Sequence, residues 1–384
     1  MRITIVAGFF LPVPPVAGGA MEKIWWRLAR EFATRGHEVT LFSRQWPGWP
    51  SKEVRDGVRL HRLPGFDHRR SRTANLLRDA CWGVTLHRHL PAADILITNT
   101  IALPLWIHPV RPRTGQLVVN LNRFPKGQLR WYRGVARLQA ASPAIAAAAV
   151  RQAPHLRDVV RIFPNPIDRQ QLTSAAAQRQ RPPHPVVLGY HGRIHPDKGL
   201  LLLVRAATLL LERADLPEWR LELRGPVEVA HGGGGATFLA QLNQAAARLG
   251  SAGRYCRHPP EFDETRLAAA YADADVFCYP TTAETGEALP VAVLEAMAAR
   301  RPVIVTDLAC FQPLVRPDVT GLLLPNWEEP TAAGRLAELF AALIMDGPRR
   351  DRLGAAASAA VAPLDFPVAA DTMLADFGSL HHAV

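Results

Sequence analysis

The 384-residue chain predicts an α/β protein of two doubly wound parallel-sheet domains, and three observations carry that reading. Strand-like apolar runs alternate with helix-length amphipathic patterns from residue 3 onward. A stretch at 170–185, rich in Gln, Arg and Pro and without apolar periodicity, interrupts the alternation, which then restarts. Hydrophobic residues make up 48% of the sequence, enough at this length for two full cores.

In the first half, residues 3–7 read as a strand, followed by a helix over about 21–35 and, after Gly36, a strand over 37–43. Residues 58–63, 94–98, 117–121 and 161–163 are further strand candidates, with helices near 73–89 and 142–152. Apolar strands set between helices imply a parallel sheet covered on both faces. No element boundary is drawn around Trp131 and Tyr132. In the second half, strand candidates at 186–190, 220–224, 276–279, 303–306 and 322–324 interleave with helices at about 200–212, 237–249, 265–272, 290–299 and 331–345. The last segment, 368–380, is an amphipathic helix after Pro363 and Pro367 that stands outside the alternation and is placed against the first domain. The expected organisation is a first domain over 1–168 with 365–384, a linker at 169–185, and a second domain over 186–364.

Composition narrows the function classes. Cys81, Cys256, Cys278 and Cys310 show no paired spacing, so neither a zinc site nor a disulfide framework is expected, and a reducing cytoplasm is the expected compartment. The N-terminus reads as a strand rather than a signal peptide, and Arg205 breaks the longest apolar run, 200–211, which predicts a soluble chain. Net charge is +11 but uneven: residues 1–180 hold 27 Lys+Arg against 10 Asp+Glu, whereas 181–384 hold 18 against 24. The basic half is either a solvated surface or a face for an anionic partner, including the inner surface of a membrane. Basic residues are not interleaved with aromatics and no nucleic-acid-binding signature appears, so no nucleic acid is expected. Asp273-Ala-Asp275 precedes an apolar strand and reads as a helix-to-strand turn rather than a metal site. His231-Gly-Gly-Gly-Gly235 lacks the Lys-Ser/Thr of a nucleotide P-loop and reads as a flexible connection. The histidines show no ligand spacing, and no metal is expected.

Three stretches carry candidate chemistry. From Ala288 to Ala299, Glu295 is the one charged residue, on a helix that Pro290 opens and in which Val291, Leu294 and Ala298 recur at helical spacing. Its neighbours one turn away are Val291, Ala292, Ala298 and Ala299, so hydrogen-bond donors must come from elsewhere. A hydroxyl-rich ligand is the expected source, and Glu287 offers it a second carboxylate. The first strand-to-helix turn, 8–19, holds three prolines and ends in Gly18-Gly19, which leaves backbone amides open at a helix N-terminus. In the turn 192–199, Arg193 leaves a strand while Lys198 stands at a helix N-terminus, where a cation is disfavoured unless an anion accompanies it. A forked guanidinium and a point charge suit a diphosphate.

These motifs resemble, in order, those of the retaining glycosyltransferases of the two-Rossmann GT-B architecture, family 4 (glycosyl transferases group 1). The Pro14–Gly19 loop with Arg35-Gly-His-Glu-Val-Thr40, Phe163-Pro-Asn-Pro-Ile-Asp168, Gly192-Arg193 to Lys198-Gly199, and Glu287 to Glu295 with Ala296-Met297-Ala298 carry the resemblance, which covers nearly the whole chain. It implies two Rossmann-like domains facing a cleft and a final helix that crosses back to the first. It also implies a nucleotide-sugar donor, UDP- or GDP-linked, whose sugar passes to a hydroxyl of a glycan, lipid-linked or small-molecule acceptor without a metal. By position, Glu295 would hold the ribose hydroxyls, Arg193 and Lys198 the diphosphate, and Glu287 the transferred sugar, with backbone amides of Gly286, Ala288 and Leu289 nearby. From Pro290 to Glu295 the helix rises roughly 7.5 Å, enough for the two carboxylates to straddle a diphosphate. Gly18 and Gly19 would close against donor or acceptor. Two departures stand out: Arg300 where the family often has Gly, and Asn122, in Val119-Asn-Leu-Asn-Arg123, where it usually has His. Epimerisation or hydrolysis of a nucleotide sugar, and binding without turnover, are the competing readings.

Overall fold

The computed structural model describes residues 1–69, 71–110, 112–179, 185–284 and 286–381. They fall into two α/β units, and each unit builds its own sheet. The first takes in Met1–Pro166, the three residues Glu287–Leu289 and the segment from Phe366 onward; the second comprises Ile167–Gly286 and Pro290–Asp365.

The strands of the first unit are β1 (Arg2–Val6), β2 (Glu38–Arg44), β3 (Lys52–Arg55), β4 (Val58–Leu63), β5 (Ile95–Thr98), β6 (Gln116–Leu121), β7 (Val135–Ala140) and β8 (Val160–Ile162). Its helices are α1 (Ala20–Thr34), α2 (Arg72–His87), α3 (Ile107–Val110) and α4 (Pro143–Gln152). The sheet runs β3-β4-β2-β1-β5-β6-β7-β8 and is parallel apart from the β3–β4 pair. β1 is central, with Ile3 registered against Val39 on one side and Ile95 on the other, so its apolar residues are buried on both faces. α1 sinks Trp25, Leu28 and Phe32 against this sheet.

Two strands here have no apolar run to announce them. β3 is a short, largely exposed edge strand. β7 reads Val-Ala-Arg-Leu-Gln-Ala, and its polar residues are absorbed inside the unit: Arg137 pairs with Asp376 at 2.9 Å, and Gln139 is buried.

The second unit holds β9 (Val186–His191), β10 (Trp219–Arg224), β11 (Tyr255–His258), β12 (Val276–Tyr279), β13 (Val303–Thr306) and β14 (Leu322–Leu324). They form a wholly parallel sheet in the order β11-β10-β9-β12-β13-β14. Its helices are α5 (Arg169–Gln178), α6 (Leu200–Leu210), α7 (Gly235–Ala245), α8 (Ala247–Ser251), α9 (Glu264–Asp273), α10 (Val291–Ala298), α11 (Ala332–Met345) and α12 (Gly347–Ala360). A single helix expected over 237–249 is divided at Ala246 into α7 and α8. Pro290 is the cap of α10 rather than its first residue.

The expected linker at 169–185 is corrected over most of its length, while residues 180–184 lie outside the described residues. α5 forms there because Asp168 caps it, accepting from the Gln171 amide at 3.0 Å. Leu172 is its one buried residue, so no apolar period marks the helix in the sequence. α12 escaped notice for a related reason. Its buried face is Leu353 with Gly354, Ala357 and Ser358, mostly small residues, and Gly354 lets it approach so closely that a Cβ there would lie 2.1 Å from the Arg300 carbonyl.

The last helix, α13 (Phe366–His381), belongs to the first unit. Phe377 is fully buried with its ring 6.1 Å from that of Phe32 on α1, and Arg35 meets Asp371 at 2.6 Å. Among the described residues no helix is long and apolar enough to cross a membrane. Replacing Phe377 by Ala should lower the stability of the first unit by about 3–5 kcal/mol, as for other buried aromatics. Urea unfolding followed by circular dichroism measures this, and a loss below about 1 kcal/mol would show that α13 contributes little to the core.

Candidate functional site

In the second unit the site begins where β9 ends. Arg193 follows His191 and Gly192, and its carbonyl accepts from the Tyr190 hydroxyl at 2.9 Å. Its guanidinium donates to the Gly232 carbonyl at 2.8 Å and stands 3.6 Å from the Asp197 carboxylate. The glycine run 232–235 is thus an ordered strap and not a flexible connection: the Gly234 amide donates to Ile194 at 2.8 Å and the Gly235 amide to Val227 at 2.8 Å. Because β10 neighbours β9, consecutive turns at one sheet edge pack on each other, and a glycine run after β10 was the available signal.

Lys198 closes a short 3-10 turn, Pro196–Lys198, two residues ahead of α6. Although charged, it is buried to 4% exposure, with its ammonium 5.5 Å from the Tyr279 ring centroid. The turn is locked to the loop after β12. The Asp197 carbonyl accepts from the Thr281 hydroxyl at 2.9 Å and the Thr282 amide at 3.0 Å. Gly199 is required by both backbone and space, since it has φ 66° and a Cβ would lie 1.8 Å from the Pro280 carbonyl.

Glu295 is buried on α10, and the protein itself supplies a donor: the Tyr271 hydroxyl on α9 meets its carboxylate at 2.8 Å. The expectation that donors must come from a ligand is corrected to that extent. Burial, reinforced by the Glu295 charge, pushes the Tyr271 hydroxyl far above the ordinary tyrosine range, so it stays a donor. The Tyr271 ring lies 4.5 Å from that of His191, which burial, with Arg224 and His258 nearby, lowers to about 3 and keeps neutral. Glu295 is therefore linked through Tyr271 to His191, the last residue of β9 and two residues before Arg193, a contact between β9, α9 and α10 with no trace in sequence spacing. Gly286 is exposed in a turn closed by its amide on the Ala283 carbonyl at 3.0 Å.

The other candidates lie in the first unit. Glu287, Ala288 and Leu289 are buried there, and the Leu289 carbonyl accepts from Asn165 at 2.8 Å. Gly18 and Gly19 have φ 81° and 100°, and Gly19 caps α1. A Cβ on Gly19 would sit 2.2 Å from the carboxylate of Glu22, a buried residue in the first turn of α1. Burial raises Glu22 from an ordinary 4.5 to about 7, against the opposing pull of its own backbone amide and Arg123. Asn122, at the end of β6, donates to Asn120 and leaves its own side-chain oxygen buried without a partner. Glu22 was missed because an acidic first turn is ordinary for a helix. Asp273-Ala-Asp275 is structural: Asp275 accepts from the Val187 amide at 2.9 Å and from Arg179 at 3.3 Å.

Two parallel-sheet α/β units, the second carrying a cationic turn at the exit of its central strand and a buried glutamate on a later helix, define the GT-B class. A solved sucrose-phosphate synthase from Thermosynechococcus elongatus superposes with a TM-score of 0.80 at 21% identity, covering all of both chains. Residues 185–342 match the family model for glycosyl transferases group 1, so the second unit is a domain of that family. A phosphatidyl-myo-inositol mannosyltransferase of Mycobacterium tuberculosis is 31% identical over 218 residues, 56% of this chain. That match spans about half the relative's length, 53%. A D-inositol 3-phosphate glycosyltransferase of Xylanimonas cellulosilytica is 28% identical over 402 residues, 93% of this chain and 90% of the relative.

Two substitutions test these environments. Tyr271→Phe removes a donor from a buried carboxylate and should cost about 1–3 kcal/mol in denaturant unfolding. Tyr255→Phe, whose hydroxyl is buried without a partner, should cost almost nothing and serves as the comparison. Glu22→Gln should reveal a pH-dependent penalty. Below about 4.5 the carboxyl is protonated folded and unfolded and contributes nothing; as pH rises the unfolded chain ionises first, and the cost to the folded state is complete only above about 7. The variant's stability relative to wild type should therefore rise by on the order of 3 kcal/mol between pH 4 and pH 8. A flat difference across that range would remove the buried, neutral Glu22 from this account.

Proposed function

We propose that the chain is a retaining glycosyltransferase that moves a sugar from a nucleotide-diphosphate sugar, UDP- or GDP-linked, to an acceptor hydroxyl. The observation that carries this reading is the turn 193–199 at the exit of β9: a guanidinium held on the Gly232 carbonyl and a buried ammonium over the Tyr279 ring, in the same unit as a buried carboxylate, Glu295, that Tyr271 ties to the last residue of β9. A fixed pair of cations is matched to a diphosphate, and holding it costs no reorganisation when charge develops on the leaving group.

Roles are assigned residue by residue from the family resemblance. Arg193 and Lys198 take the diphosphate, and Asp197 yields its share of the Arg193 guanidinium to it. Glu295, oriented by Tyr271, accepts from the ribose hydroxyls. Glu287 is assigned the hydroxyls of the transferred sugar, with amides of Gly286, Ala288 and Leu289 for its oxygens. Gly18, Gly19 and Asn122 are assigned to donor or acceptor contacts. The acceptor hydroxyl attacks from the face that the diphosphate leaves, its proton passes to a leaving phosphate oxygen, and the two cations provide the charge stabilisation without a metal.

For the acceptor, the relatives named for phosphatidyl-myo-inositol and for inositol 3-phosphate favour a phosphate-bearing polyol, free or lipid-linked. The excess of Lys and Arg in residues 1–180 supports the same choice, and with it peripheral contact with anionic membrane from the cytoplasmic side during glycan or glycolipid synthesis. Of the basic cluster Arg69-Arg-Ser-Arg72 that bears on this, Arg70 lies outside the described residues.

Arg193→Ala and Lys198→Ala should each lower turnover by about 100- to 1000-fold, as loss of an oxyanion donor does. The donor is found first by thermal shift with UDP, GDP, ADP and their sugars, since a ligand that binds only the folded state raises its stability. Normal turnover in both variants with the donor so identified would end this reading.

A further inference from the structure

The second unit has a cavity of about 820 Å³ whose walls include Arg169, Arg179, Arg300, Arg301, Asp351 and Ser358. It lies at the ends of the strands opposite to those from which the turn 193–199 leaves. Arg179 and Arg301 precede the first residues of β9 and β13, whereas Arg193 follows the last residue of β9, and all the strands are parallel. It is therefore separate from the site assigned to the donor.

Two of its cations are built into the frame. Arg179 donates to the Asp273 and Ala274 carbonyls at 2.6 and 3.3 Å and to Asp275, and Arg301 is buried with its guanidinium on the Ala299 and Ala274 carbonyls at 2.7 and 3.1 Å. The other two are not used in this way. Arg169 has its Nε buried in the protein without a hydrogen-bond partner. Arg300 has an exposed side chain and occupies the left-handed position after α10, at φ 61°, where glycine carries no penalty.

Complementing the negative end of α10 does not account for Arg300. The last carbonyls of that helix are already taken: Ala296 and Met297 accept from the Arg301 and Arg300 amides, Ala298 from Ser358, and Ala299 from the Arg301 side chain. A cation is thus held in a backbone conformation that disfavours it, facing a cavity with three more arginines and Asp351 as the acid among the six residues named. We propose that this cavity binds a phosphate-bearing small molecule, with Arg169 and Arg300 contacting the phosphate and Arg179 and Arg301 supplying fixed positive charge behind them.

The test uses the full chain with Arg193 and Lys198 both replaced by Ala, so that the assigned donor cations do not contribute. The probes are glucose 6-phosphate and inorganic phosphate, with sulfate for comparison, followed by titration calorimetry. One saturable site is expected for at least one phosphate probe. A preference for glucose 6-phosphate assigns the cavity to a phosphorylated metabolite, and equal binding of the two assigns it to the phosphate group alone. Arg169→Gln and Arg300→Gly should each weaken that binding at least tenfold, while Arg300→Gly raises the melting temperature without ligand by relieving the left-handed position. Absence of a saturable site, sulfate binding as tightly as phosphate, or phosphate binding unchanged in both variants would overturn the proposal. Because binding is read in the absence of turnover, loss of this site and failure of the transferase reading are separate results.

Discussion

The second unit depends on one close approach, the Asp197–Gly199 backbone against the loop that leaves β12. One carbonyl, that of Asp197, gathers the Thr281 hydroxyl and the Thr282 amide, and Gly199 leaves no room for a side chain beneath the Pro280 carbonyl. Backbone groups at such a junction must be satisfied internally, and here that requirement fixes the position of two cations. Arg193 is steadied from the other side by the Gly232 carbonyl, so its turn is held between the loops after β10 and β12, the neighbours of β9. A side chain on Gly199 would part the turn from its support before it altered any charge.

A similar economy governs the buried acids. Glu295 and Glu22 both sit on helices under apolar cover, yet they are managed in opposite ways. Glu295 has a tyrosine hydroxyl whose own ionisation is suppressed, which keeps a donor on the carboxylate. Glu22 is moved toward neutrality by burial, close beneath Gly19. One carboxylate is thus provided with a donor and the other is held near its protonation midpoint at neutral pH, and the difference is set by which neighbours the fold brings, not by the residue type.

Much of this was legible in the amino-acid sequence because doubly wound sheets place chemistry at strand exits, where turn residues and charges stand out against apolar runs. Arg193, Lys198 and the lone charge of Glu295 were readable in that way, as were the central strands β1, β9 and β12. What was hidden shared a different cause. β7 contains Arg and Gln whose burial depends on distant positions, α5 fully buries Leu172 alone, and α12 packs mainly through small residues with Leu353 as its one large buried side chain, so none carries a marked apolar period. Tyr271 and Gly232 escaped for the same reason as the partners of Arg301: the contact is between elements far apart in the chain. Arg300 was visible as an unusual residue after a helix, but only its dihedral angle shows that it stands where glycine is favoured.

The position of α13 also bears on how the chain is made. Its buried face, including Phe377 against Phe32, completes a core built mainly from residues before 167, with the whole of the second unit translated in between. During synthesis the second unit has left the ribosome and can close its sheet while the first still lacks a wall, with Phe32 uncovered. The earlier-born unit is thus the later one to finish, and until residues 366–381 emerge it presents an apolar face to the chaperones around the nascent chain.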